Sequence, residues 1–154
     1  MEVQYDGHGV VAARQCGNGP GPCTCPRETI LLVEDERAVR MVAARILRRK
    51  GFNVLEAIDG RDALDVAGDH LGSIALLISD LIMPSLDGPR LAETLGEKRP
   101  AMRVLFMSGY LEEDIVGRRV QRDASFLGKP FLPDDLVARV ESLLGTSTAT
   151  DSAV

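Results

Sequence analysis

Residues Ile74 to Gly88 read IALLISDLIMPSLDG. The stretch begins as an apolar run and reaches a carboxylate, Asp80, directly after Ser79. From Ile74 to Ser79 it has the length of a strand rather than of a helix. Nearly continuous apolarity at that length predicts a strand covered on both faces, the situation of a parallel sheet. Beyond Asp80, Pro84 and the pair Asp87-Gly88 read as a turn leading into a helix cap, with the helix itself expected around Pro89 to Glu97.

Working outward, the same alternation recurs on both sides. Thr29 to Val33 (TILLV) is a second buried strand, followed by a helix from Arg37 to Lys50 with Val39, Val42, Ala43, Ile46 and Leu47 along one stripe. Gly51 ends that helix. Phe52 to Glu56 is a strand, and Asp59 caps a helix that turns Ala63, Leu64 and Ala67 to one side. Toward the other end come a strand at Met102 to Met107, a helix at Leu111 to Arg119, a short strand at Ser125 to Leu127 and a helix at Pro133 to Leu144. The last is striped by Leu136, Val137, Val140, Leu143 and Leu144. Pro133 suits its first turn, and Asp134 and Asp135 suit the positive end of its dipole. Strands alternating with helices define the α/β class, and right-handed crossovers make it a doubly wound five-stranded parallel sheet with helices on both faces. Ligands of such sheets bind at the carboxyl ends of the strands, where the strand order reverses.

Composition agrees and narrows the function. The 154 residues are 45% hydrophobic and 27% charged, the balance of a soluble globular chain rather than a disordered one. With 4% aromatics and no Trp, the core must be built from Val, Ile, Leu, Ala and Met. A net charge of −5 argues against direct nucleic-acid binding and against a polybasic membrane contact. No apolar run approaches the ~20 residues of a membrane span, and Met1 to Gly9 carry no signal-peptide pattern, so the expected location is cytoplasmic. Gly17, Gly19, Pro20, Gly21, Pro22 and Pro26 mark residues 1–27 as a flexible tail or linker. The domain is expected over 28–145, and the small, polar residues 146–154 as a disordered C-terminal tail. Cys16, Cys23 and Cys25 all fall in the front segment. Their odd number describes no disulfide framework and their spacing, with His8 nearby, fits no zinc pattern, so a reduced tail is expected.

The chemistry lies at the strand exits. Glu34 and Asp35 follow the first strand, Asp80 the third, Ser108 the fourth and Lys129 the fifth. Any one of these alone reads as a solvated loop residue or a turn. Together they gather three carboxylates on one edge, and these need a cation to coexist ionised. An oxygen-only ligand set favours Mg²⁺. A carboxylate beside such an ion can act as a nucleophile toward phosphorus, with Lys129 spreading the charge of the transferring group and the Ser108 hydroxyl donating to a phosphoryl oxygen.

Four stretches also resemble the signatures of response-regulator receiver domains: ILLVEDE at Ile30 to Glu36, SDLIMPSLDG at Ser79 to Gly88, FMSGY at Phe106 to Tyr110 and FLGKPF at Phe126 to Phe131. They occur in order and in register over 28–145. The resemblance implies a flavodoxin-like sheet of order 2-1-3-4-5 and assigns roles residue by residue. Asp80 matches the phosphoacceptor. Glu34, Asp35 and the backbone carbonyl of Ile82 match its partners in holding Mg²⁺, with Glu34 replacing the commoner Asp. Ser108 and Phe126 match the switch residues and Lys129 the family's lysine. Lys129–Pro130 matches a peptide bond that is often cis, and Ile82 and Tyr110 positions that tune phosphoryl lifetime. The implied function is a phosphorelay switch that takes a phosphoryl group from a histidine kinase or histidine phosphotransfer protein. It would catalyse its own phosphorylation and dephosphorylation without being a turnover enzyme. Its implied output, which could include a homodimer, is the face formed by the 111–119 helix, the fifth strand and the last helix. The SGY and GKPF wording is similar to the terminal receivers of hybrid sensor histidine kinases, so a fragment of such a kinase is expected over a stand-alone protein. The rival reading is a receiver-like interaction module that works without phosphorylation. A phosphohydrolase would require a cap insertion that the sequence does not contain.

Overall fold

The computed structural model describes residues 28–109 and 125–145. Both expected tails, with Cys16, Cys23 and Cys25, lie outside the described residues, as do Tyr110 and the helix expected at Leu111 to Arg119. The strands are β1 (Thr29–Val33), β2 (Asn53–Ala57), β3 (Leu76–Asp80), β4 (Arg103–Ser108) and β5 (Ser125–Gly128). The described helices are α1 (Arg37–Arg49), α2 (Gly60–Asp69), α3 (Gly88–Lys98) and α4 (Pro133–Leu144).

All four strand pairings are parallel and the order is β2-β1-β3-β4-β5. The apolar strands are therefore buried on both faces, and each alternates between two cores. Ile30, Leu32, Leu76, Ile78, Leu105 and Met107 face one side, where Ala43, Ala44 and Leu47 of α1 and Leu136 and Val140 of α4 close over them. Leu31, Val33, Leu77 and Phe106 face the other, against Ala63 and Ala67 of α2 and Leu91, Ala92 and Leu95 of α3. Three glycine- and acid-based devices set the helix limits. Asp59 accepts from the Asp62 amide at 2.8 Å, Asp87 accepts from the Arg90 amide at 3.0 Å, and Gly51 terminates the α1 turn at φ 91°.

The third strand sits later than its apolarity suggested. Ile74 and Ala75 belong to the approach, and the pairing runs through Asp80 itself, whose partner on β4 is Met107. Burial of Ile74 against the α2–α3 side explains the apolar run without requiring strand pairing. At the end of α1, Arg48 reaches back to β2, donating to the Val54 carbonyl at 3.1 Å and pairing with Glu56 at 3.0 Å. Among the described residues no helix is long and apolar enough to cross a membrane.

Candidate functional site

The order of the sheet reverses between β1 and β3, so the exits of these two strands diverge and leave a crevice. Glu34 leaves β1 on one side of it and Asp80 ends β3 on the other. The Lys129 ammonium, delivered from the end of β5, lies between them, 2.6 Å from Glu34 Oε2 and 3.0 Å from Asp80 Oδ2. Two carboxylates, 95 and 49 positions before Lys129 in the chain, thus share its one ammonium group.

Glu34 is fully buried, and each of its polar atoms is held. Its amide donates to the Ala57 carbonyl of β2 at 3.2 Å, and its carbonyl accepts from Arg40 at 2.8 Å. Its Oε1 accepts from the Glu36 amide at 3.1 Å, and its Oε2 takes the lysine. Burial pushes the Glu34 carboxyl above the ordinary glutamate range. Lys129 and the Glu36 amide pull it back only in part, and the charge of Asp80 adds to the upward push. For Lys129, burial alone would lower the ammonium, but the hydrogen bonds it donates to Glu34 and then to Asp80 outweigh that and hold the group above the usual lysine value.

Lys129 is aimed by the backbone around it. Its amide donates to the Ser108 carbonyl at 2.7 Å, and the Lys129–Pro130 bond is cis, as the receiver resemblance implied. Ser108 ends β4 beside β5, is nearly buried, and pairs in register with Gly128. Phe126 is half-buried and packs on Phe106 with ring centroids 5.8 Å apart, so in this conformation it is part of the core on the α2–α3 side.

The loop from Asp80 to α3 is tightly bent. The Leu86 amide donates to the Pro84 carbonyl at 2.9 Å across Ser85, whose φ is +72°, a γ-turn in the left-handed half of backbone space. Gly88 then brings the start of α3 against the strand: a Cβ there would lie 2.4 Å from the Asp80 carbonyl oxygen and 3.1 Å from the Phe106 ring. Ile82 lies in this loop with an exposed side chain, and its carbonyl accepts no hydrogen bond among the described residues.

The structure brings together Glu34, Asp80 and Lys129 directly. Asp35 is exposed at the rim, yet one oxygen from each of Glu34, Asp35 and Asp80 falls within a mutual 4.8 Å. This all-oxygen set fits a hard divalent cation. Two contributors were missed in the sequence reading, Arg40 and Ser85. Arg40 had left a trace: a basic residue in the first turn of a helix opposes the dipole, so it calls for a specific partner. Ser85 left none, since serine is ordinary in turns.

Fold and site together define a flavodoxin-like α/β domain with an acid–lysine pocket at its switch point. The chain belongs to the response regulator receiver domain family, whose model matches residues 30–141. It is 41% identical over 118 residues to the sensor kinase CckA of Brucella abortus, covering 75% of this chain and 12% of the kinase. It is 31% identical over 116 residues to the response regulator receiver protein CpdR of the same organism, covering 75% of this chain and 95% of CpdR. Among solved structures, the receiver domain of the hybrid histidine kinase CckA matches with a TM-score of 0.65 at 45% identity, covering 75% of this chain and 98% of that one. The chain therefore carries a receiver domain of two-component signalling, a family that interacts with histidine kinases or phosphotransfer partners, and it spans only a small part of the kinase's length.

Proposed function

We propose that this domain accepts a phosphoryl group on Asp80 from a partner's phosphohistidine, in a Mg²⁺-dependent transfer, and thereby switches a partner-binding surface. The observation that carries the reading is the Lys129 ammonium bridging Glu34 and Asp80 at the switch point. In the transfer, a carboxylate oxygen of Asp80 forms the new bond to phosphorus. The phosphorus–nitrogen bond of the phosphohistidine breaks, and its electron pair returns to the imidazole. Glu34, Asp35, Asp80 and the Ile82 carbonyl would hold the ion, which when bound supplies positive charge beside the phosphoryl oxygens. Lys129 keeps its proton and neutralises the product's oxygens, and the Ser108 hydroxyl donates to one of them. Movement of Ser108 toward the phosphoryl group biases a two-state face around β5 and α4, with Phe126 following.

The same reading treats 28–145 as the folded unit with tails on both sides, in the cytoplasm, as one receiver within a phosphorelay whose larger parent is of the hybrid-kinase type. The face around β5 and α4 is where a partner or a second copy would dock. The test is amide NMR of the chain titrated with a stable phosphoryl mimic in the presence and absence of Mg²⁺. Mg²⁺-dependent shifts spreading from Asp80 to Ser108, Phe126 and α4 are expected. Shifts confined to the Asp80 loop would remove the switch, and no binding at all would favour the phosphorylation-independent module.

A further inference from the structure

The carbonyl that Arg40 grips belongs to the peptide bond joining Glu34 to Asp35, the link between the two acids of the β1 exit. Glu34 has other anchors: Ala57 and Lys129 reach it from different elements. Asp35 is exposed, and among the described residues nothing holds its carboxylate, so its placement depends on how that peptide is oriented. Arg40 reaches it from the first turn of α1 at 2.8 Å, and its Nε lies 3.8 Å from Glu56 Oε1 on β2. Glu56 in turn is tied through Oε2 to Arg48 at 3.0 Å. Only 14% of the Arg40 side chain is exposed, so the guanidinium is set into the structure between β1, β2 and α1 rather than waving in solvent.

We propose that Arg40, braced by Glu56, is a positioning residue for the acidic pair: it fixes the Glu34–Asp35 peptide and so presents Asp35 to the cation held by the cluster. The planar guanidinium explains why arginine stands here. Separate N–H groups of one rigid fork face the carbonyl and the Glu56 carboxylate together, which a lysine ammonium on a flexible stem does not reproduce. It also explains a cation at a helix N-terminus, where the dipole is unfavourable. The inference rests on the proposed role of the acids in holding Mg²⁺.

The sign of the effect separates positioning from simple charge. Arg40 is a cation close to a cation site, so by Coulomb's law alone its removal should strengthen Mg²⁺ binding. If it positions the acids, its removal should weaken binding, on the order of tenfold, as losses of outer-shell partners do. The experiment uses the full chain with Arg40→Gln, Arg40→Lys and Glu56→Gln. Mg²⁺ affinity is measured by calorimetry, and ¹⁵N relaxation of Asp35 and Glu36 is recorded without metal. Thermal melts confirm that each variant folds. The expected result is weaker Mg²⁺ binding in both Arg40 variants, including the one that keeps the charge, and a smaller loss in Glu56→Gln. Order parameters at Asp35 should fall from about 0.85 toward 0.6 in the metal-free Arg40 variants. Unchanged or tighter Mg²⁺ binding in Arg40→Lys, with Asp35 as rigid as in the parent, overturns the inference while leaving the cation site standing. A parent that binds no Mg²⁺ overturns the cation site instead, and the relaxation data then decide alone whether Arg40 holds the peptide.

Discussion

Gly88→Ala and Gly96→Ala add the same methyl group to the same helix, α3, and should move stability in opposite directions. At Gly96 a Cβ would meet nothing within 4 Å, so the substitution removes the helix penalty of glycine, a gain of up to about 1 kcal/mol. At Gly88 the Cβ would lie 2.4 Å from the Asp80 carbonyl oxygen, which is backbone, and 3.1 and 3.2 Å from Phe106 ring atoms. Neither neighbour can yield freely. The carbonyl also accepts from Ser79 Oγ at 2.9 Å, and Phe106 is 2% exposed within the core. Forcing a methyl into such a contact costs about 1–3 kcal/mol, which exceeds the propensity gain at the first residue of a helix. The net loss is about 1–2 kcal/mol, and for a domain of this size 1 kcal/mol moves the melting midpoint by about 4 °C. Calorimetric melts of the metal-free chain should therefore show Gly88→Ala falling by about 4–8 °C and Gly96→Ala rising by about 2–4 °C. Because the displaced carbonyl is that of Asp80, Gly88→Ala should also slow phosphoryl uptake while Gly96→Ala should not. Two shifts of the same sign, or an unperturbed Gly88→Ala protein, would refute the close approach of α3 to the end of β3.

Other substitutions test the strain and the electrostatics of the pocket. Ser85→Gly relieves a side chain held at positive φ and should raise stability by about 1 kcal/mol in denaturant titrations; a loss would mean that the Ser85 side chain contributes more than its backbone costs. Metal-free Glu34→Gln should melt at or above the parent at neutral pH, since it removes a carboxylate whose ionisation burial opposes, and added Mg²⁺ should raise the melting point of the parent but not of the variant. The sign with pH follows from the raised Glu34 value. The contribution of this group is fully present below the ordinary value of 4.5 and is lost as pH rises through the higher folded value, so the difference between variant and parent should shrink as a series of melts moves into acid. Lys129 is also raised, so its contribution holds up to the ordinary value of 10.5 and is lost only above it. A Lys129→Met variant should lose stability relative to the parent at neutral pH, with the gap closing in alkaline melts.

Much of this architecture was legible because buried parallel strands write themselves as short apolar runs. TILLV matched β1 residue for residue, and Pro133 to Leu144 matched α4, where proline, two aspartates and the leucine–valine stripe all agree. Strand ends were less legible. Ile74, Phe52 and Met102 are buried without belonging to the paired strands, because core packing extends past the ladder. The gathering of Glu34, Asp80 and Lys129 followed from topology once all were placed at carboxyl ends. Their shared ammonium did not, since the sequence does not give side-chain distances. Arg40 signalled only that a first-turn cation needs a partner, without naming it, and Glu56 and Ser85 left no signal, because their roles depend on a side-chain distance and a φ angle, neither of which has a compositional signature.

Asp80 is the proposed phosphoacceptor, and that assignment decides the rest. It is tested most directly by the intact mass of the chain after incubation with Mg²⁺ and a small-molecule phosphodonor, run beside Asp80→Asn. One added phosphoryl group on the parent, absent from Asp80→Asn and from the parent without Mg²⁺, is the predicted result. An adduct that persists in Asp80→Asn, or none on the parent under any condition, would contradict it.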